Sequence, residues 1–138
     1  MDNSILKPTF KNANLALTAK QLHYLNGTTA DTTNFVFYYN LVSRMATATM
    51  VEKVRGIDIT VSPGQVLASK STLAKEWNIN RKTVIAMFKD MMDIGLIEYD
   101  SSRLSTIINL TSISGWYASG GYYKNPYYKP SYTTTKPQ

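Results

Sequence analysis

The chain contains no cysteine and one histidine, His23. The first absence excludes disulfides, thiol nucleophiles and thiolate metal sites, and the two together leave no His/Cys cluster for an ordinary zinc site. The nine acids are scattered, and neither a phosphate-cradling glycine-rich loop nor a dinucleotide fingerprint occurs. Asp90 and Asp93 share a helix at i, i+3, a spacing read as solvated surface acid. The expectation is a protein that is not an enzyme, with no catalytic residue, no cofactor and no metal. Long apolar runs are also missing: none approaches the roughly 20 residues that span a bilayer. The opening Met1-Asp2-Asn3-Ser4 lacks the basic and apolar regions of a signal peptide. The expected protein is soluble and cytoplasmic, with no membrane partner. Finally, no acid follows Asp100, whereas Arg103, Lys124, Lys129 and Lys136 do.

What is present suffices for a folded domain. The 138 residues are 43% hydrophobic, enough to close a core without covalent staples. Fifteen lysines and arginines against nine acids give a net charge of +6, a balance that fits a polyanionic partner through counterion release.

Residues 1–30 read as an arm with a short helix. Residues 1–17 show no clear period and include Pro8, while Thr18 caps a helix through Leu22 and Leu25 that Asn26-Gly27 ends. His23 within it reads as a surface or half-buried histidine. From Thr33 to Thr49, Phe35, Tyr39, Val42, Ala46 and Thr49 follow a 3.6-residue period, predicting a long amphipathic helix. Ile57, Ile59 and Val61 then alternate with polar residues as a strand. The turn Ser62-Pro63-Gly64 leads to Val66-Leu67-Ala68, expected as its partner.

The most informative stretch is 69–110. Leu73, Ala74 and Trp77 form the apolar stripe of a short helix capped by Ser69 or Ser71. Asn78-Ile79-Asn80 is a turn whose Ile79 plugs the angle between two helices. Asn80 caps a second helix, Arg81 to Ile94, with Val84, Met87, Phe88 and Met91 on its buried face. Gly95 stops it. Leu96–Tyr99, the turn Asp100-Ser101-Ser102-Arg103, and Leu104–Leu110 predict a hairpin. The expected fold is mainly α (α+β): a winged helix-turn-helix at 31–113, with an N-terminal helical extension and an extended C-terminal tail. Residues 114–138 form that tail, rich in tyrosine. In it Trp116 and Tyr117 are expected on the domain and the remainder extended or partly disordered.

This pattern resembles the winged helix-turn-helix of GntR-type regulators and of the DNA-binding part of phage replisome organisers. The matching residues are Leu73-Ala74, Asn80 to Val84 and Gly95-Leu96-Ile97. Arg55 to Ile59 and Gly64 to Leu67 look like the hairpin preceding this module in replisome organisers. About half the chain is covered. The resemblance implies DNA contact by Asn80, Arg81 and Thr83. Ile85 and Asp90 depart from it, standing where GntR-type regulators commonly carry basic residues. No large ligand-binding domain follows, so a small-molecule sensor of that kind is not expected.

The residues themselves suit duplex DNA. A recognition helix buries one face and presents the other to a major groove about 12 Å wide. At 100° per residue Lys82, Ala86 and Lys89 lie opposite the buried face, and Ala86 is small enough for close approach. Arg81 can make paired bonds to guanine O6 and N7. Lys82 and Lys89 suit phosphates, and Thr83 suits either a base or, first, a backbone contact. Lys70 and Ser71 sit in the first turn of the preceding helix, where free amides favour phosphate. At the wing tip Ser101, Ser102 and Arg103 can touch the backbone or place Arg103 in the minor groove, next to an Asp100 that repels phosphate. Arg44, Lys53 and Arg55 read first as solvated charge and alternatively as phosphate contacts.

The expected function is duplex DNA binding, first as a small transcriptional regulator, alternatively as a replication or mobile-element accessory protein. A winged-helix protein-interaction module is a third reading. Met91, Met92 and Ile94 serve either packing against the long first helix or a homodimer interface. The tyrosine-rich tail is structural, stacks on single-stranded bases, or captures a protein partner.

Overall fold

A computed structural model describes residues 10, 12–100 and 106–130. Among these, helix and strand account for 34% each, in four helices and ten strands spread over several small sheets. The fold is mixed α/β, which corrects the expectation of a mainly α chain with an extended tail. Two regions supply the difference.

The first is the pair of chain ends. Strand β1 (Asn12–Leu15) pairs antiparallel with β9 (Ile113–Ala118), and β10 (Gly121–Lys124) pairs with the other edge of β9. The segments expected as loose arm and extended tail therefore build one three-stranded sheet. The boundary drawn between residues 113 and 114 falls inside β9. Ile113 and Trp116 are buried, and burying them against the core is what draws both ends in. Tyr117, expected on the domain beside Trp116, is instead 45% exposed. Beyond β10, Asn125 locks the C-terminal segment down, its amide donating 2.8 Å bonds to the carbonyls of Leu110 and Ile113.

The second is the stretch after the long helix. Helix α1 (Ala19–Asn26) opens with a capping box between Thr18 and Gln21, and a two-residue ladder, β2 (Thr28–Thr29) with β3 (Thr32–Thr33), leads to helix α2 (Asn34–Ser43). α2 stops at Ser43, short of Thr49, because the chain is needed elsewhere. The Ala46 amide donates to Gln65 and its carbonyl accepts from Gly64, both at 2.9 Å. The buried face also differs from expectation: Phe37, Tyr38, Leu41 and Val42 point inward, while Phe35 and Tyr39 are exposed. Strand β4 (Met50–Val54) follows and pairs with β5 (Ile57–Val61) across a two-residue tip, Arg55-Gly56, with both φ positive. That geometry is a type I′ hairpin turn. β6 (Gln65–Ala68), expected as the partner of β5, pairs instead with β8 (Thr106–Asn109), whose other edge takes β7 (Glu98–Asp100). The turn at Pro63-Gly64 thus hands the chain from one sheet to another.

Between β6 and β7 run helices α3 (Lys70–Trp77) and α4 (Arg81–Asp93). Leu73 of α3 and Val84, Phe88 and Met91 of α4 meet Leu41, Ile108 and Ile113 in one buried cluster. Among the described residues no helix is long and apolar enough to cross a membrane.

Candidate nucleic-acid interface

Local signals position α3 and α4. The Ser69 hydroxyl accepts from the Thr72 amide at 3.2 Å, capping α3. Asn78 ends it in the left-handed region at φ 57°, a conformation asparagine tolerates better than most side chains. Ile79 then packs against the core. The Asn80 side-chain oxygen accepts from the Thr83 amide at 2.9 Å and from the Thr83 hydroxyl at 3.0 Å. Both side chains are thereby oriented, and the Asn80 carboxamide keeps its N–H donors for a partner. At the far end Leu96 donates to Met91 and Gly95 to Met92, with Gly95 at φ 82°. These are the paired bonds of a Schellman stop. Gln21 of α1 donates to the Ile94 carbonyl at 2.8 Å, satisfying another exposed helix end.

α4 is amphipathic and electrically polarised. Val84, Met87, Phe88 and Met91 are buried, while Arg81, Lys82, Ile85, Ala86 and Lys89 face solvent. Among the described residues neither Arg81 nor Lys82 has a carboxylate partner. Lys89 lies about 12 Å further along the axis, and its charge is met at 3.5 Å by Asp93 one turn on. Asp90 and Asp93 make the C-terminal half acidic. The N-terminal end carries the free cations, reinforced by the positive end of the helix dipole.

Packing of α3 on α4 adds Lys70 to that end. Its ammonium sits 5.4 Å from the centre of the Tyr99 ring and 3.5 Å from the Thr106 hydroxyl. Burial lowers its pKa, and the positive charge of Arg81 lowers it further. Two like charges from different helices thus act on each other, and among the described residues neither forms an ion pair. Ser71 is exposed on the same first turn of α3.

The structure therefore groups Asn80, Arg81, Lys82 and Thr83 at the start of α4, sets Lys70 within reach of the Arg81 charge with Ser71 beside it on α3, and sets Lys89 apart. Ser101, Ser102 and Arg103 lie outside the described residues. Tyr99, expected only as a residue of the hairpin strand, is the ring under Lys70. Its contact joins β7 to α3, and no local pattern encodes it. Arg44 is tied to Glu76 and Asn40, and Lys53 to Asp58, while Arg55 stands at the hairpin tip.

Of the apolar residues near the end of α4, Met91 is core and Ile94 is partly buried against it. Met92 is 38% exposed and edges an open cleft of about 650 Å³, which Ile97, Ile107, Asn109 and Lys129 also line. Across that cleft Lys129 pairs with Glu98 at 2.7 Å. Compared with protein-family models, curated proteins and solved structures, the chain matches none.

Proposed function

We propose that this chain binds double-stranded DNA through α4, in the manner of the winged helix-turn-helix modules its sequence resembles. The observation that carries the reading is the N-terminal end of α4. Arg81 and Lys82 stand exposed, without carboxylate partners among the described residues, beside a Lys70 close enough to feel the Arg81 charge. Unpaired like charges held together are unfavourable alone and are relieved by an anion. A phosphate backbone supplies a row of them. Arg81 is assigned to a guanine edge, Lys82 and Lys70 to phosphates, and Asn80 and Thr83 to the backbone or a neighbouring base. Small Ala86 lets the helix approach closely. Lys89 is a secondary phosphate contact, because Asp93 competes for it.

A small transcriptional regulator acting in the cytoplasm is the first assignment. A replication or mobile-element accessory role would use the same contact, and neighbouring replication genes would favour it. A homodimer would set two such helices on adjacent half-sites.

The test is fluorescence anisotropy with labelled duplex DNA over a salt series, for wild type and Arg81→Ala/Lys82→Ala. The expected result is salt-sensitive wild-type binding, with roughly a tenfold or greater loss and a shallower salt slope in the variant. Absence of duplex binding at low salt would overturn the reading in favour of a protein-docking module.

A further inference from the structure

The sheet formed by β1, β9 and β10 has one face turned inward through Ala13 and Trp116 and one turned out. By register, Asn12, Tyr117 and Tyr122 form one row of the outer face, and Asn14, Gly115 and Lys124 the next. The tyrosines are 45% and 42% exposed, with ring centres 4.9 Å apart. Gly115 is what shapes them. A Cβ there would collide with the hydroxyl and ring carbon of Tyr122 and stand 2.6 Å from the Tyr123 carbonyl. Its absence lets Tyr122 lie diagonally across β9, against Tyr117. Lys124 and both asparagines are exposed around the rings. None of the three strands contains an acid, and no acid occurs anywhere in residues 3–30 or 101–138.

We infer that this face is a stacking platform for single-stranded nucleic acid, separate from the α4 surface. A duplex hides the faces of its bases; a single strand offers them, and tyrosine rings stack on them without regard to sequence. The three acid-free strands and Lys124 complement the phosphates between stacked bases. Asn12 and Asn14 supply amide donors and acceptors for base edges.

The experiment titrates the full chain with labelled oligothymidine, which forms no duplex with itself, and with oligouridine to separate DNA from RNA. Four variants are compared. Tyr117→Leu/Tyr122→Leu keeps an apolar cover over Gly115 but removes the rings, and Tyr117→Phe/Tyr122→Phe keeps the rings. Lys124→Glu reverses the charge, and Arg81→Ala/Lys82→Ala leaves the platform intact. The expected result is single-strand binding about tenfold or more weaker in the leucine variant. It should be retained in the phenylalanine variant, weakened by Lys124→Glu, and retained when α4 is altered. That last arm separates this inference from the duplex reading, since either can fail alone. If the leucine variant unfolds, as circular dichroism would show, Lys124→Glu alone decides: unchanged affinity overturns the inference. So do absence of oligothymidine and oligouridine binding by wild type at low salt, equal affinity in a folded leucine variant, and loss confined to the α4 variant.

Discussion

At the N-terminal end of α4, cations stand beside aliphatic Ile85 and small Ala86; on the outer face of β9 and β10, a single lysine stands beside two exposed tyrosines. The two surfaces also differ in origin. The first is laid out along one helix, with Lys70 brought in by its neighbour. The second is assembled from three segments of the chain. Charge whose one ring, Tyr99, lies half-buried under Lys70 suits a polymer that shows its phosphates and hides its base faces. Rings with little charge suit one that shows its bases. Net charge alone, +6 for the whole chain, says less than which side chains accompany each cation.

The strongest test of this contrast asks whether the two surfaces share one core. Phe88 is fully buried beneath α4. Phe88→Ala should lower unfolding stability by about 3–5 kcal/mol, through lost burial and the cavity left behind. In urea, circular dichroism and tryptophan fluorescence should report a single transition that both binding activities follow. A later transition for Trp116, read alone in a Trp77→Phe background, would show that the tyrosine sheet is a separate cooperative unit.

Gly115→Ala should act on one side of the comparison. The added methyl meets Tyr122 and the Tyr123 carbonyl, so β10 must shift or Tyr122 must leave its place. A loss of about 1–3 kcal/mol in thermal or urea unfolding is expected from such overpacking, with weaker oligothymidine binding. Duplex affinity of the folded variant should be unchanged; a parallel fall in both affinities would break the distinction.

The smallest effect lies within the α4 surface. The pKa of Lys70 is lowered by burial first and by Arg81 second. Arg81→Ala should therefore raise it part of the way back toward an ordinary lysine, measured by NMR titration of the Lys70 side chain. In the wild type, Lys70 loses its charge as pH rises through its lowered pKa, at lower pH than an unperturbed lysine. The Lys70 contribution to duplex affinity should fall earlier on the alkaline side than in Arg81→Ala. Identical titrations would mean that the two cations do not sense each other.

Those surfaces were unequally legible in the sequence. α3 and α4 announce themselves locally: Ser69 and Asn80 cap, Val84 to Met91 keep one period, and Gly95 terminates. Each signal acts within a turn or two of its own position. α2 was harder because Asn34–Ser43 is apolar nearly all round. Spacing could not choose Phe37, Tyr38 and Leu41 over Phe35 and Tyr39, and packing made the choice. Strand pairing was hardest. β6 could as well have joined β5, and the tyrosine stretch shows no alternation strong enough to name β1 as a partner. The proximity of Lys70 to Arg81 depends on how two helices pack. Their charges were therefore visible as candidates, but not as neighbours.

The central position of β9 has a kinetic consequence. Asn12 pairs with Tyr117, so β1 must wait for synthesis of the long stretch between them before its partner exists. Pairing so distant in sequence raises the loop-closure cost and slows the step that needs it. The helices, whose contacts are local, can form first. During synthesis β1 is an unpaired edge, and its composition, Asn-Ala-Asn-Leu, is poor in the β-branched and aromatic residues that favour premature pairing with other chains.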